Sequence, residues 1–565
     1  MYNRSIKLTH KHLLVGSINK RRECRRYWIA ESIAYSYPKV RELFTDIPED
    51  DPLPWPKMPV LDRLSSKKYT HLGLGPILEN EGTSEGTYGV VDNIFGHYKN
   101  NGEFCKGQLG FNASHFEDGS LYLINGDQKT IGLLQSIQRE QVCDKTTGRA
   151  QLQWFLPVPG LFHFRMNYME MIHEVYGGAT TLVESLDHSK VHLGARRGSL
   201  SPFHHKEEVA IKAFFARITA AFQTHIDSTA FQSIDHAVDD FLSCRSIRQD
   251  QAQARKRFLQ VVDQIQDDIF TYTTRLDSGT ENEAIDEVFR NQIRYIQDME
   301  TYLTLKFAIK HADIGLIQDV IVRSCMLFAG GGRTNYANLC LYMLHVLVSG
   351  AATPELRHAF LSSMLVNCRG KEDSWFETDR LNEHHNLLLR LLISGRQRGS
   401  TDMKELFTKV SLTSSYTLDL REAIEQFGEH TISHHTASNA TSDVQNLANT
   451  LRSSMKRKTN GRKSSFESHD IHNIGMRKLT GGVKVVEQKE PKKRKRLEEA
   501  HYTSMIDRFN KRNMAYAWVE DDPSGTSNSS TTQASQLLNY ASIDVPLDTS
   551  LLQSSQIVDL EDIDR

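Results

Sequence analysis

From about Pro202 to Asn367 apolar residues recur at helical spacing with no strand signal between them, and this stretch constrains the fold more than any other. Ile285, Val288, Phe289, Ile293, Ile296, Met299 and Leu303 follow one another mostly at steps of three and four, which lays one buried stripe along a helix. Similar stripes run through Val209 to Phe222, Phe258 to Phe270, Ile314 to Phe328 and Leu339 to Val348. The spacing predicts an all-helical module of five or six helices. Ala329-Gly330-Gly331-Gly332 reads as a break between two of them, because the run lacks both the spacing and the Lys of a phosphate-binding loop.

A chain of 565 residues exceeds what one compact core organises, so two or three units are expected. The balance of 68 basic and 70 acidic residues nets −2, which excludes a uniformly basic coat for nucleic acid and leaves local patches. A hydrophobic fraction of 39% is low for a wholly folded chain and points to a disordered part. Cys24, Cys105, Cys143, Cys244, Cys325, Cys340 and Cys368 form no CxxC pair and leave an odd one over. That argues against a disulfide scaffold or a cysteine-rich zinc module and fits a reducing compartment. No N-terminal signal is visible, and the longest apolar stretch, Leu339 to Ala352, is interrupted by His345 and too short to span a bilayer. The expectation is a soluble, intracellular protein with no membrane partner.

Five regions follow. Residues 1–80 read as an irregular arm, with Arg21, Arg22, Arg25 and Arg26 and a Pro-rich run from Asp51 to Pro59. In residues 81–200 short β-type runs (Thr87 to Val91, Gln108 to Phe111, Leu121 to Ile124, Leu152 to Leu156) alternate with helices at Ile131 to Gln141 and Phe162 to Tyr176. Residues 201–372 form the helical module. Residues 373–430 add a helix from Phe376 to Ile393 and another from Asp419 to Phe427. Beyond 430 the text is Ser, Thr, Asn, Gln and charge, so residues 431–565 are expected to be a disordered tail.

Four blocks can carry chemistry. Tyr88-Gly89-Val90-Val91-Asp92-Asn93 reads as a strand ending in an acid, either a rigidly held metal ligand or ordinary turn chemistry. Leu121 to Ile124, Asn125-Gly126 and Asp127 repeat the design, and Asp127 is otherwise the N-cap of the helix that follows. In Pro157-Val158-Pro159-Gly160-Leu161-Phe162-His163 an extended segment turns into a helix. His163 is there either a proton shuttle or phosphate contact, or a satisfied histidine against Met166 and Tyr168. In Asp379-Arg380-Leu381-Asn382-Glu383-His384-His385-Asn386, positions 379, 383 and 386 share one helix face, as a site or as a solvated stripe. His384 and His385 are adjacent, point apart and cannot chelate one zinc.

Taken in order, Val-Asp-Asn at 91–93, Gly-Asp-Gln-Lys-Thr at 126–130, the run from Trp154 to Asn167 and Thr378 to Asn386 resemble a fungal family, domain of unknown function 6589, over roughly residues 85–430. Arg333-Thr334-Asn335-Tyr336-Ala337 is similar to its pattern too. The resemblance implies a transposon-derived lineage without an assigned activity. A step beyond it, Asp92, Asp127 and Glu383 have the layout of the acids in transposases with a ribonuclease H fold, the helical module being the insertion before the third. The fold expected is therefore α+β: a ribonuclease H-like mixed core interrupted by a large all-helical insertion, with the disordered tail behind it. Asp92 and Asp127 stand only 35 residues apart, tight for two further strands and a helix.

The function expected is cleavage or transfer of DNA phosphodiesters by two Mg²⁺ (or Mn²⁺) ions on Asp92, Asp127 and Glu383, with His163 orienting water or phosphate. Lys129, Arg165 and Arg333 are the candidate contacts to the nucleic-acid backbone. The alternative is a catalytically inactive remnant that binds DNA, chromatin or a protein. In the tail, Pro491 precedes Lys492, Lys493, Arg494, Lys495 and Arg496, the pattern a nuclear import receptor reads, with Lys456, Arg457, Lys458, Arg462 and Lys463 upstream. Ile557, Val558 and Leu560 beside acids resemble a SUMO-interacting motif. The location expected is the nucleus.

Overall fold

The computed structural model describes residues 18–45, 51–69, 79–99, 102–117, 121–141, 152–193, 203–226, 233–243, 251–277, 284–348, 352–383, 440–466 and 469–479, with isolated positions at 47, 48, 74, 77 and 386. Its main helices are α1 (Ile18–Ser36), α2 (Ser84–Phe95), α3 (Gln128–Gln141), α4 (Leu161–Tyr176), α5 (Leu186–His192), α6 (Phe203–Thr224), α7 (Ile234–Ser243), α8 (Gln251–Asp277), α9 (Glu287–Lys310), α10 (Ile314–Gly330), α11 (Thr334–Val348), α12 (Pro354–Ser362) and α13 (Ala440–Met455). The strands are β1 (His97–Tyr98), β2 (Phe104–Cys105), β3 (Tyr122–Gly126), β4 (Phe155–Pro159), β5 (Leu365–Val366) and β6 (Phe376–Glu377). The fold is mixed α and β, and mostly helical. β1 with β2 and β5 with β6 are antiparallel pairs, whereas β3 and β4 run parallel, with Tyr122 opposite Phe155 and Gly126 opposite Pro159. Since α3 lies between them in sequence, β3, α3 and β4 make a βαβ unit.

The helical stripes behave as their spacing requires. Phe289, Ile293, Ile296, Met299 and Leu303 of α9 are all buried, and α9, α10 and α11 pack in succession through short connections. Asp313, itself buried, caps α10 by accepting from Leu316 N (3.0 Å) and accepts as well from Leu61 N and Asp62 N. That bond tethers the Pro-rich segment to the helices.

Several expectations are corrected. Thr87 to Val91 is not a strand but the body of α2, begun by Thr83, whose hydroxyl accepts from Gly86 N. The Gly and Val there belong to a helix with Val91 and Phe95 on its buried side. Gln108 to Phe111 is a turn. Phe376 and Glu377 are strand, with helix beginning at 378. The first 80 residues are not all irregular: Cys24, Ile29, Ala30, Ile33 and Ala34 put α1 into the core against α6 and α8. Arg21, Arg25 and Arg26 pair with Asp319, Glu300 and Asp263. Beyond residue 430 the chain is not uniformly unstructured. Val444, Leu447, Ala448, Leu451 and Met455 form a helical stripe that α13 buries along α6, and Phe466 and Ile471 are buried farther on. Five apolar positions among polar ones suffice when a groove is waiting for them.

Asp419 to Phe427, His384, His385, the basic run Lys492 to Arg496 and Ile557, Val558 and Leu560 lie outside the described residues. Among the described residues, no helix is long and apolar enough to cross a membrane.

Candidate functional site

Because β3 and β4 are parallel and each runs directly into a helix, the N-termini of α3 and α4 open side by side at the carboxyl ends of the strands. Gly160 N donates to Gly126 O (2.8 Å) and fixes the two turns against each other. Open α/β sheets seat ligands in the crevice beyond strand carboxyl ends, where helix amides carry partial positive charge.

Asp127 serves the first of these helices from within. Its Oδ1 accepts from Thr130 N (2.7 Å) and its carbonyl from Ile131 N (2.9 Å), the N-cap arrangement. The second helix has no cap of its own, since its N-cap residue is Gly160. A distant carboxylate takes that place: Asp379 Oδ1 accepts from Phe162 N (3.0 Å) and Oδ2 from His163 N (3.1 Å). A Cβ at Gly160 would lie 2.3 Å from Asp379 Cγ, so the position requires glycine.

The same Asp379 Oδ2 stands 3.1 Å from His163 Nδ1, while His163 Nε2 faces Glu383 Oε1 at 3.7 Å. Side-chain exposure grades outward across the three, from 4% at Asp379 through 25% at His163 to 42% at Glu383. A carboxylate on Nδ1 selects the tautomer that carries its proton there and aims Nε2 toward the opening. The hydrogen bond to Asp379 raises the imidazole pKa above the ordinary histidine value; burial opposes this, and the charges of Asp379, Asp127 and Glu383 add to it. Tyr336 of α11 borders the same negative field. Its hydroxyl is pushed up by burial first, then by Asp127 and Asp379.

The residues proposed from sequence are thus placed as follows. Asp127, His163 and Glu383 share this crevice. Asp92 is half-buried on α2, where its carbonyl accepts from Gly96 N. Among the described residues no three His, Cys, Asp or Glu side chains are grouped to hold a metal ion, so Asp92, Asp127 and Glu383 do not form one such centre. Lys129 is exposed at the start of α3. Arg333 pairs with Glu174. Arg165 is buried between Glu207 and Glu377, and its guanidinium therefore does not present a surface to nucleic acid. What the sequence reading missed is the role of Asp379 as the cap of α4. A helix opened by a glycine, with no Ser, Thr, Asn or Asp before it, was the available sign that its amides must be satisfied from elsewhere.

Gly126 to Thr130, Gly160 to Asn167 and Thr378 to Glu383 meet at this crevice, and Tyr336 brings Arg333 to Ala337 to its border. No curated protein and no solved structure matches the chain. The model of the family described as "Family of unknown function (DUF6589)" matches residues 7–436, a span that contains every element of the crevice, and the chain belongs to that family.

Proposed function

We propose that this chain is a nuclear protein of transposon descent that cuts or joins DNA, with the crevice at the ends of β3 and β4 as its phosphodiester site. The observation that carries the reading is His163, clamped by the buried Asp379 on one ring nitrogen and facing Glu383 with the other. The hydrogen bond to Asp379 favours the protonated imidazole, which offers Nε2 to a phosphate oxygen or to a leaving 3′ oxygen. Acid–base help of this kind contributes about 10²–10⁴-fold. The amides that open α4 are taken by Asp379, which leaves the exposed Lys129 at the start of α3 to meet a phosphate.

The finer architecture we propose is ribonuclease H-like. The parallel β3 and β4 with α3 between them, and an acid on a helix that follows the long helical stretch, support it. Three acids around two metals do not fit, since Asp92, Asp127 and Glu383 are not grouped to hold a metal ion among the described residues, and Asp379, the other acid of the crevice, has both oxygens in use. Hard oxygen donors at Asp127 and Glu383 fit one hydrated Mg²⁺ or Mn²⁺, an ion commonly held by one or two carboxylates together with water and substrate phosphate. When bound, it would neutralise phosphate charge and acidify a water.

The rival reading, a remnant that binds DNA without cutting it, is favoured by the same use of both Asp379 oxygens. Incubating the full chain with supercoiled plasmid and with end-labelled duplex in Mg²⁺ or Mn²⁺ separates the two. The expected result is cleavage that falls ~100-fold or more in His163→Ala and Glu383→Gln. Retention of DNA without cleavage by the parent supports the rival, and neither retention nor cleavage overturns both.

A further inference from the structure

Two residues beyond His163 on α4, the guanidinium of Arg165 is enclosed in the interior. Nη1 donates to Glu377 Oε1, Nη2 to Glu207 Oε1, and Nε lies 3.3 Å from Tyr302 Oη. Tyr302 also donates to Glu207, and Lys306 Nζ meets the other oxygen of Glu207 at 3.1 Å. Two cations and two carboxylates therefore balance. Glu377 is fully buried, and its second oxygen has no partner among the described residues.

A buried ion pair of this kind contributes little stability that apolar side chains of the same volume would not, so its energetic value is a weak reason for its presence. Its location suggests another. Glu377 ends β6 two residues before Asp379, as Arg165 follows His163 by two. Two bridges therefore join the same two segments, Arg165 to Glu377 in the interior and the α4 amides to Asp379 at the mouth. On the other side, Thr378 is held to the turn after α12 by its N to Met364 O and its Oγ1 to Ser363 O. Those bonds fix height along β5 and leave the approach to α4 to Glu377 and Asp379.

We infer that Arg165 and Glu377 are positioning residues for the site: their buried pair sets the distance at which Asp379 meets His163 and the amides of α4. The inference rests on the reading of this crevice as the functional site, but its test is read without any activity. Asp379 and Glu383 from the helix over 378–383, and Asp127 from the start of α3, are the charged groups that face the imidazole.

The experiment follows hydrogen exchange of the Phe162 and His163 backbone amides by NMR in the full chain, for the parent, Glu377→Gln, the apolar pair R165M/E377L, and Asp379→Ala as the reference for a lost clamp. Both amides donate to Asp379 at the open end of α4, so their protection reports the clamp. Glu377→Gln keeps the shape and leaves Arg165 its bond to Glu207. The expected result is that both positioning variants melt cooperatively while these two amides exchange faster, toward the rate in Asp379→Ala, and rescue by Glu377→Asp is incomplete because the shorter arm cannot reach. Where the parent cuts DNA, the same variants lose about 10–100-fold. Cooperative melting with unchanged exchange of both amides in either variant overturns the inference. So does loss of the fold in both, which would make the pair purely structural. A parent without nuclease activity removes the functional reading and leaves the exchange result standing.

Discussion

Arg462 closes on Asp286 with three guanidinium contacts of 2.9, 3.1 and 2.7 Å, and Asp286 is wholly buried. The same carboxylate caps α9 by accepting from Phe289 N (3.1 Å) and takes Lys458 N (2.9 Å), while Arg462 also donates to the carbonyls of Ser453, Ser454 and Lys456 at the end of α13. One side chain thus joins the last turn of α13 to the first turn of α9. Removing it leaves a buried carboxylate without its cation, which costs about 3–5 kcal/mol. Arg462→Ala should lower the melting temperature strongly, and Arg462→Lys should recover part of the loss, since it keeps the charge without the planar fork. An unchanged melting temperature in Arg462→Ala would show that α13 is held by its apolar stripe alone.

That engagement bears on nuclear import. Arg462 is tied to Asp286 and Lys463 pairs with Glu287 at 3.0 Å, while Lys456 and Lys458 are exposed; the nuclear address we propose is tested at Lys492 through Arg496. Replacing Lys493 and Arg494 by Ala should move a fluorescently tagged chain out of the nucleus and leave its melting temperature unaltered. If the double variant stays as nuclear as the parent, the run is not the address.

On α9 the stripe makes a sharper test. Ile293 is fully buried, whereas Ile285, eight residues earlier on the same spacing, lies just before the helix and is 43% exposed. Asp at Ile293 buries an unpaired charge and should cost several kcal/mol, enough to unfold the helical part. Asp at Ile285 should change stability by less than about 0.5 kcal/mol. Arg294→Asp is not neutral either, because Arg294 Nη2 sits 3.4 Å from Asp470 and the substitution sets two acids together. Equal losses at Ile285 and Ile293 in thermal melts would contradict the burial of this face.

Periodicity made the helices of residues 202–367 legible, because a continuous apolar stripe has few other uses. It failed where one cue supports two structures. Thr87 to Val91 carries Val and Tyr like a strand, yet Thr83 caps it and Phe95 closes a helical face. α13 was hidden by its composition, since Asn446, Asn449, Thr450 and Ser453 occupy the solvent side of a helix whose five apolar residues need α6 to become a core. At the site, Asp127, His163 and Glu383 were visible as chemistry-bearing residues at the ends of elements. Asp379 was visible only as a face mate of Glu383. Its contact with α4 joins positions more than 200 residues apart, and nothing local in the sequence encodes that.

The pH dependence of the docked segment after α13 gives a last test. Burial pushes the His472 imidazole down to about 4, with the charge of Arg323 adding to the effect and Asp470 opposing it. Between the ordinary value of 6.5 and about 4, the unfolded chain binds a proton that the folded chain refuses, so stability falls as pH drops through this window, by about 3 kcal/mol for a shift of this size. Asp298, buried with Tyr176 Oη at 2.7 Å, works in the other direction. Burial raises it from 3.8 to about 6, so the folded chain keeps a proton that the unfolded one releases, and stability falls as pH rises over that range. Between pH 4 and 6 these two effects oppose each other in the parent. His472→Gln removes only the first, and its melting temperature relative to the parent should climb steadily as pH is lowered from about 7 to 4.5. A difference that stays constant over that range would mean that His472 is free to charge in the folded protein, and that the segment over 469–479 does not bury it.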